Sequence, residues 1–551
     1  MTLTWALSIL VFALAAGSLA RAAFPSAFGG CPKPPPAPSS AGSRGKISPR
    51  DLAAAAPVAE AFLRAEAMLK LLTTKGIPKV DSGLFTTPTA ALSVGVVFDQ
   101  ELVWSRGYGL RNRTDLKSFV DADSIFRIGS ISKIFAMLSM MYARDKGLLS
   151  LDDNVQKHVP EFSVKPTVDM VTQSESIITL AQLATHMAGL TRETPCSGQP
   201  DGGRSGTPVS CDMSDAVAFQ RIAETTAIFP PNTLPIYSNL GFEVLGHTVR
   251  RASSFDSYEE MIDHVVLKPL GMHNSGVNMS KLTAAQYSQH LALPYQEGLK
   301  ECGQPCLRDF GWSQPSGSMF SSVNDLAKIL QLMFQHDAPS SKILRPGTLR
   351  ETLLPRYVMP DREGGYALTW ELYRIGDYML RTKRGDVDGY ASEIIMIPEL
   401  KLGFVVLASE VEHAQYAAQR LVGLLLEPVA AQLAATSKKQ YPPNPFSSYE
   451  GTFNPSGPLT SDLSPVTISN VSGLLAFDYG RSILEFVGNR GTNIHIFRML
   501  PWPGEAWGPT AKSCSRTQMD DWYELVFFEM EGSSARSFTF DFVYGNSWVK
   551  Q

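Results

Sequence analysis

Ser130 and Lys133 stand in the run FRIGSISKIF, residues 126–135, as S-x-x-K. If Ser130 opens a helix, Lys133 follows one turn later on the same face. A serine hydroxyl is a poor nucleophile until a neighbour takes its proton, and a desolvated amine one turn away can assist. The helix N-terminus adds partial positive charge and free N–H groups for a developing oxyanion. The pair alone decides little. Ser43 and Lys46 have the same spacing within a Pro/Ser-rich stretch, and Ser130 taken singly reads equally well as a helix N-cap. Two further clusters change the balance. Tyr237-Ser238-Asn239 falls in a turn-like stretch before an apolar helical segment, and Lys383-Arg384-Gly385 runs on to a second glycine, Gly389. A buried turn tyrosine and a solvated strand lysine are the bland readings of Tyr237 and Lys383, and the company and order of the three clusters outweigh them.

The chain order S-x-x-K, Y-x-N, K-x-G resembles that of the serine β-lactamase and penicillin-binding-protein superfamily. It is most similar to the group of class C β-lactamases, D-alanyl-D-alanine carboxypeptidases and their esterase relatives, in which Tyr opens the second motif. LLSLDDNVQKHVPEF at 148–162, ITLAQLATHMAGL at 178–190, LKPLGMHNSG at 267–276 and PSGSMFSSVNDLAKIL at 315–330 resemble the helical middle of that group, so the likeness covers residues 85–428. It implies an acyl-enzyme on Ser130, with Lys133 and Tyr237 sharing the general-base role and Asn239 orienting Lys133 and the substrate. Lys383 would hold Tyr237 in a positive field and bind a substrate carboxylate. The oxyanion hole would be the backbone N–H of Ser130 and that of Asp386, just after Gly385. Position 384 is Arg, where β-lactamases usually carry Thr or Ser, and Asp386 and Asp388 add negative charge. Both departures turn the expectation from a carboxylate-bearing antibiotic toward an ester or a neutral amide. Hydrolysis and acyl transfer to another acceptor stay open, since cleft shape decides between them. A catalytically silent binding or scaffold protein is the reading from another class, and the intact motif residues argue against it.

Other chemistries lack their residues. There is no G-x-S-x-G elbow, no H-E-x-x-H pair and no glycine-rich phosphate loop, so neither a metal nor any other cofactor is expected. His186, in ATHMAGL, reads as structural from its apolar surroundings. A net charge of −4 and a pI near 6.2 give no electrostatic case for nucleic acid or an anionic membrane as partner. Residues 5–16 are an apolar run ending near an A-x-A-like site, which reads as a secretory signal peptide cut after Ala22. An uncleaved anchor is the alternative. No later stretch is apolar and uncharged for long enough to span a bilayer. In an oxidising compartment Cys196 with Cys211, and Cys302 with Cys306, read as disulfide-closed loops, while Cys31 and Cys514 could pair or stay free. Sequons begin at Asn112, Asn278 and Asn470.

These side chains must be carried by recognisable elements. Residues 23–50 form a Pro/Ser-rich linker, and Asp51 is placed to cap a helix reaching residue 75. Apolar alternation over 91–97 and 102–109 predicts a hairpin turning at Asp99-Gln100. Helical patterns follow, as at 134–146 and 325–335, and strands return at 366–372, 393–397 and 403–407. Strands, helices, then strands predict one sheet built from both ends of the segment, with helices packed on it. The fold class is α/β (α+β): a β-lactamase/transpeptidase-like domain over 51–437 with a mixed antiparallel sheet and a helical subdomain, then an all-β accessory domain over 447–551. The boundary rests on the polar, Pro-rich SKKQYPPNPF and the β-rich runs beyond it, at 475–479, 494–499, 522–528 and 537–543. That terminal domain is similar to one found on secreted β-lactamase-like proteins of filamentous fungi.

Overall fold

The computed structural model describes residues 47–551 except 78–85, 87, 168–176, 195–210, 297–299, 302–306, 339, 388, 410–412, 437–441, 459, 461–462, 472–473, 478–481, 502–524 and 541–545. The leader, Cys31, Cys196, Cys302, Cys306, Cys514 and Asp388 thus lie outside the described residues. Two compact units emerge, Ile47–Ala435 and one containing Thr436–Gln551.

The larger unit is built on an eight-stranded antiparallel sheet. Its strands are β1 (Ala91–Phe98), β2 (Glu101–Gly109), β3 (Tyr357–Val358), β4 (Gly364–Tyr366), β5 (Glu371–Ile375), β6 (Tyr378–Val387), β7 (Tyr390–Ile397) and β8 (Leu402–Ser409). The order β2-β1-β8-β7-β6-β5-β4-β3 places β1 beside β8, from Ala91 opposite Ser409 to Phe98 opposite Leu402. The sheet is therefore built from both ends of the segment, as the sequence predicts. The hairpin turns at Asp99, whose φ of 52° suits such a turn. β1, β7 and β8 are buried along their whole length because both sheet faces are covered. Leu92, Val94, Phe404 and Val406 pack with α1 (Pro49–Ala54), α2 (Ala56–Thr74) and the long terminal helix α6 (His413–Thr436). Ala91, Val97, Val405 and Leu407 face the other way, into the core that holds α3 (Ser132–Asp145), α4 (Asn239–Ala252) and α5 (Val323–Met333). Strands covered on two sides lose polar alternation and read as continuous apolar runs.

Three local expectations are corrected. The first helix starts at Pro49 and takes its cap from Ser48, so the linker ends earlier and Asp51 lies inside the helix. It then breaks at Ala55, because Pro57 has no N–H to offer the carbonyl one turn back. The strand expected over 366–372 is two strands joined by a buried turn, with Thr369 at φ 70° and Ala367 N–H bonded to the Trp370 carbonyl. Burial of that turn, not strand pairing, explains its apolar residues. For β6 the sequence offers no strand range, only the bland reading of Lys383 as a solvated strand charge. Lys383 is on a strand but buried, and with buried Arg381 it masks the strand pattern.

The smaller unit is a closed barrel, β9 (Gly451–Ser456), β10 (Val466–Val471), β11 (Leu474–Phe477), β12 (Ser482–Arg490), β13 (Ile494–Pro501), β14 (Leu525–Glu531), β15 (Ser534–Phe540) and β16 (Ser547–Lys550). Its core is aromatic: Phe453, Phe497, Phe528, Phe538 and Trp548 are buried, and Phe538 stacks on Trp548 at 5.4 Å. Closure leaves no edge strand open.

Candidate active site

Ser130 sits in a 3-10 turn, Gly129–Ile131, leading directly into α3. The Ser132 hydroxyl donates to the Gly129 carbonyl (2.6 Å) and accepts from Met319 N–H (3.0 Å), which pins the turn. No side chain caps α3, so Ser130 is not the helix cap. Its hydroxyl faces other partners. Lys133 Nζ lies 3.0 Å from Ser130 Oγ, and the Tyr237 hydroxyl donates to the same oxygen at 2.5 Å.

Tyr237 and Asn239 reach the site because Ser238 caps α4. The Ser238 hydroxyl accepts from Gly241 N–H (2.8 Å) and donates to the Thr191 carbonyl (2.6 Å). Tyr237 therefore ends the incoming loop and Asn239 begins the helix. Asn239 Oδ1 accepts from Lys133 Nζ at 2.8 Å, while its amide nitrogen donates to both oxygens of Glu193, at 3.0 and 3.1 Å. Glu193 thereby fixes which way the Asn239 amide points. The third contact of Lys133 Nζ is the Ser316 carbonyl. Three acceptors around one nitrogen are the complement of an ammonium.

Lys383, in the middle of β6, places Nζ 5.1 Å from the Tyr237 ring centre, as does Lys133. Lys383 Nζ is also ion-paired to Glu371 Oε1 at 2.5 Å. Burial depresses the Lys133 ammonium, and Lys383 adds to that. Burial would raise the Tyr237 phenol, but Lys133 and Lys383 together bring it below its ordinary value. Both groups beside Ser130 are thus held below their ordinary values.

Backbone contact joins the turn to β6. A Cβ on Gly385 would lie 2.0 Å from the Ile128 carbonyl oxygen, and one on Gly129 only 3.0 Å from the Asp386 nitrogen. The turn before Ser130 and the Gly385-Asp386 peptide touch without side chains between them. Arg384 and Asp386 form an ion pair at 2.5 Å, and Arg384 also donates to Gln415 of α6. The negative charge expected from Asp386 is therefore matched by Arg384, its neighbour two positions back.

His186 packs under Tyr237 with ring centres 4.5 Å apart, and its Nδ1 accepts the Ser238 N–H at 3.1 Å. Burial, then Lys383 and Lys133, hold it well below its ordinary pKa, so the ring is neutral and supports the tyrosine. Glu243, one helical turn past Asn239, accepts from the Ser316 hydroxyl at 2.8 Å, and burial raises its carboxyl to about 7. Glu193, Glu243, Ser316 and Glu371 are absent from the sequence expectations, because their roles come from contacts across the fold rather than from spacing.

The remaining expected sites separate. Asn278 is buried, and the amide nitrogen that a glycan would need donates to Asp309 at 2.6 Å, so the folded protein closes that sequon. Asn470 is exposed on β10, and Asn112 is half-buried in a turn. Cys211 is disulfide-bonded. Among the described residues no helix is long and apolar enough to cross a membrane, and no group of three or more His, Cys, Asp or Glu side chains is arranged to hold a metal.

The family model described as Beta-lactamase matches residues 79–426. Beta-lactamase-like protein 4 of Dictyostelium discoideum is 30% identical over 323 residues, which is 56% of this chain and 54% of that protein. An unguisins hydrolase of Aspergillus violaceofuscus is 24% identical over 377 residues, 62% of each. The chain thus spans only about half to two thirds of the length of such relatives. Among solved structures, the octameric penicillin-binding protein homologue from Pyrococcus abyssi aligns with TM-score 0.52 at 20% identity, covering 89% of this chain and 98% of that one. A class C beta-lactamase aligns with TM-score 0.52 at 20% identity, covering 66% and 96%. At that identity the likeness concerns the fold alone.

Proposed function

The chain belongs to the beta-lactamase family, and from that premise we propose that it is a secreted serine hydrolase forming an acyl-enzyme on Ser130 with an ester or amide substrate. The observation that carries the reading is the convergence of Lys133 Nζ and the Tyr237 hydroxyl on one Ser130 oxygen. Ser130 Oγ attacks the substrate carbonyl carbon, and its proton passes to the Tyr237–Lys133 pair in the state where one of the two is deprotonated, as phenolate beside ammonium or phenol beside amine. The tetrahedral oxyanion is held by the backbone N–H groups of Ser130 and Asp386. Collapse breaks the bond to the leaving group, which takes the proton from the same pair. Water, deprotonated by that pair, then releases the acid and frees Ser130. The hydrolase name of the Aspergillus relative supports water as the acceptor. Secretion rests on the leader and on the paired cysteine spacings, Cys196 with Cys211 and Cys302 with Cys306. N-terminal sequencing of the protein from medium should begin at Ala23, and a chain still starting at Met1 would overturn it.

A fluorophosphonate probe tests the mechanism. It should label the parent at Ser130, and Ser130→Ala should lose labelling and turnover while melting near the parent. Lys133→Ala and Tyr237→Phe should each lower kcat about 10²–10⁴-fold, the range for general-base assistance. The double variant should be no worse than the weaker single, because groups acting as one unit are non-additive. Turnover by Ser130→Ala within a few-fold of the parent would overturn the assignment.

A further inference from the structure

Three cations beside the site residues are each paired with a carboxylate. Lys383 pairs with Glu371 at 2.5 Å, Arg384 with Asp386 at 2.5 Å, and Arg192, whose guanidinium lies 4.8 Å from the Tyr237 ring centre, with Glu193 at 3.1 Å. The pair of Lys383 with Glu371 is the deepest, with side chains only 1% and 17% exposed. Burial would strip the proton from Lys383, and Glu371 more than offsets it, so the ammonium stays charged. Its charge is nevertheless answered inside the protein. A substrate carboxylate approaching Lys383 must either displace Glu371 from a buried ion pair or accept its repulsion at close range. Breaking a buried pair and setting like charges together are both costly. Arg192 already shares its Nε with Glu193, the residue that holds the Asn239 amide.

We propose that Glu371 is a specificity-determining residue: by occupying Lys383, it directs the site to substrates that are uncharged around the reacting carbonyl and against those carrying a carboxylate there. The inference rests on the acyl-enzyme reading of Ser130 and names the substrate class for it. A neutral ester or amide makes no demand on Lys383. An anionic one meets a cation already paired.

Binding of phenylboronic acid and 3-carboxyphenylboronic acid to the full chain, both of which add covalently to an activated serine, tests the proposal without requiring a known substrate. The parent should bind the neutral boronate more tightly. Glu371→Gln should shift the affinity ratio toward the carboxylate by about tenfold or more, and Glu371→Asp, which keeps the charge, should retain the parent ratio. A parent that prefers the carboxylate overturns the proposal and needs no variant to do so. A Glu371→Gln ratio within about twofold of the parent also overturns it, provided that the variant melts cooperatively. Boronate binding that survives Ser130→Ala unchanged, or fails altogether in the parent, overturns the acyl-enzyme reading and this inference with it. A Ser130-dependent binding whose ratio ignores Glu371 overturns this inference alone.

Discussion

Glu243 shows how a single buried carboxyl sets conditions for the residues around it. It lies on the same face of α4 as Asn239, bonded to Ser316, whose carbonyl receives Lys133. One of its oxygens, Oε2, is buried with no hydrogen bond, an arrangement that suits a neutral acid better than a carboxylate. Burial raises its pKa from 4.5 to about 7 in the fold. The folded chain therefore binds this proton more tightly than the unfolded chain does. The resulting stability is fully present below about pH 4.5 and is lost as pH rises through about 7, by on the order of 3 kcal/mol at most. Glu243→Gln keeps the shape and removes the titration. Its melting temperature, compared with the parent's, should be more favourable at pH 8 than at pH 5. An equal difference at both would mean that Glu243 ionises in the fold without penalty.

At the scale of elements, the motif residues are legible in the sequence because each motif is local. Ser130 and Lys133 are one turn apart, and Tyr237 and Asn239 straddle a cap. Their meeting is less legible, because it depends on β6 lying against the turn before Ser130. The pattern of β6 is concealed by Arg381 and Lys383, which are buried charges answered by Glu399 and Glu371. Glu371 itself follows a turn whose apolar residues mimic a strand, so spacing assigns it no role. The contact of β6 with the turn leaves no room for a side chain. Gly385→Ala would place a methyl 2.0 Å from the Ile128 carbonyl oxygen, and neither backbone can yield without moving Ser130. Overpacking of this kind typically costs about 1–3 kcal/mol. Gly385→Ala should lower the melting temperature and weaken fluorophosphonate labelling together. Full labelling at parent stability would show that the strand and turn are not tightly apposed.

At the scale of the whole molecule, the two units hold their sheets together differently, one as an open sheet and one as a closed barrel. In Ile47–Ala435 the sheet joins the first strands to the last, β1 beside β8, so its core exists only when both ends of the segment are present. The barrel closes on itself, with β9 paired to β16, and buries its own cluster of Phe, Tyr and Trp side chains. A closed sheet with a private core has what independent folding requires. The stretch 438–446, which precedes the barrel strands in sequence, is polar and Pro-rich, a composition typical of sites of proteolytic nicking. Limited proteolysis of the native chain should cut there first and leave a C-terminal fragment of roughly a hundred residues, the size of an ordinary domain. That fragment should keep a cooperative melt with the near-ultraviolet signal of its packed aromatics, while the larger piece keeps fluorophosphonate labelling at Ser130. A fragment that loses its aromatic signal on release would mean that the barrel depends on the rest of the chain, and would overturn its independence even if the cut falls where expected.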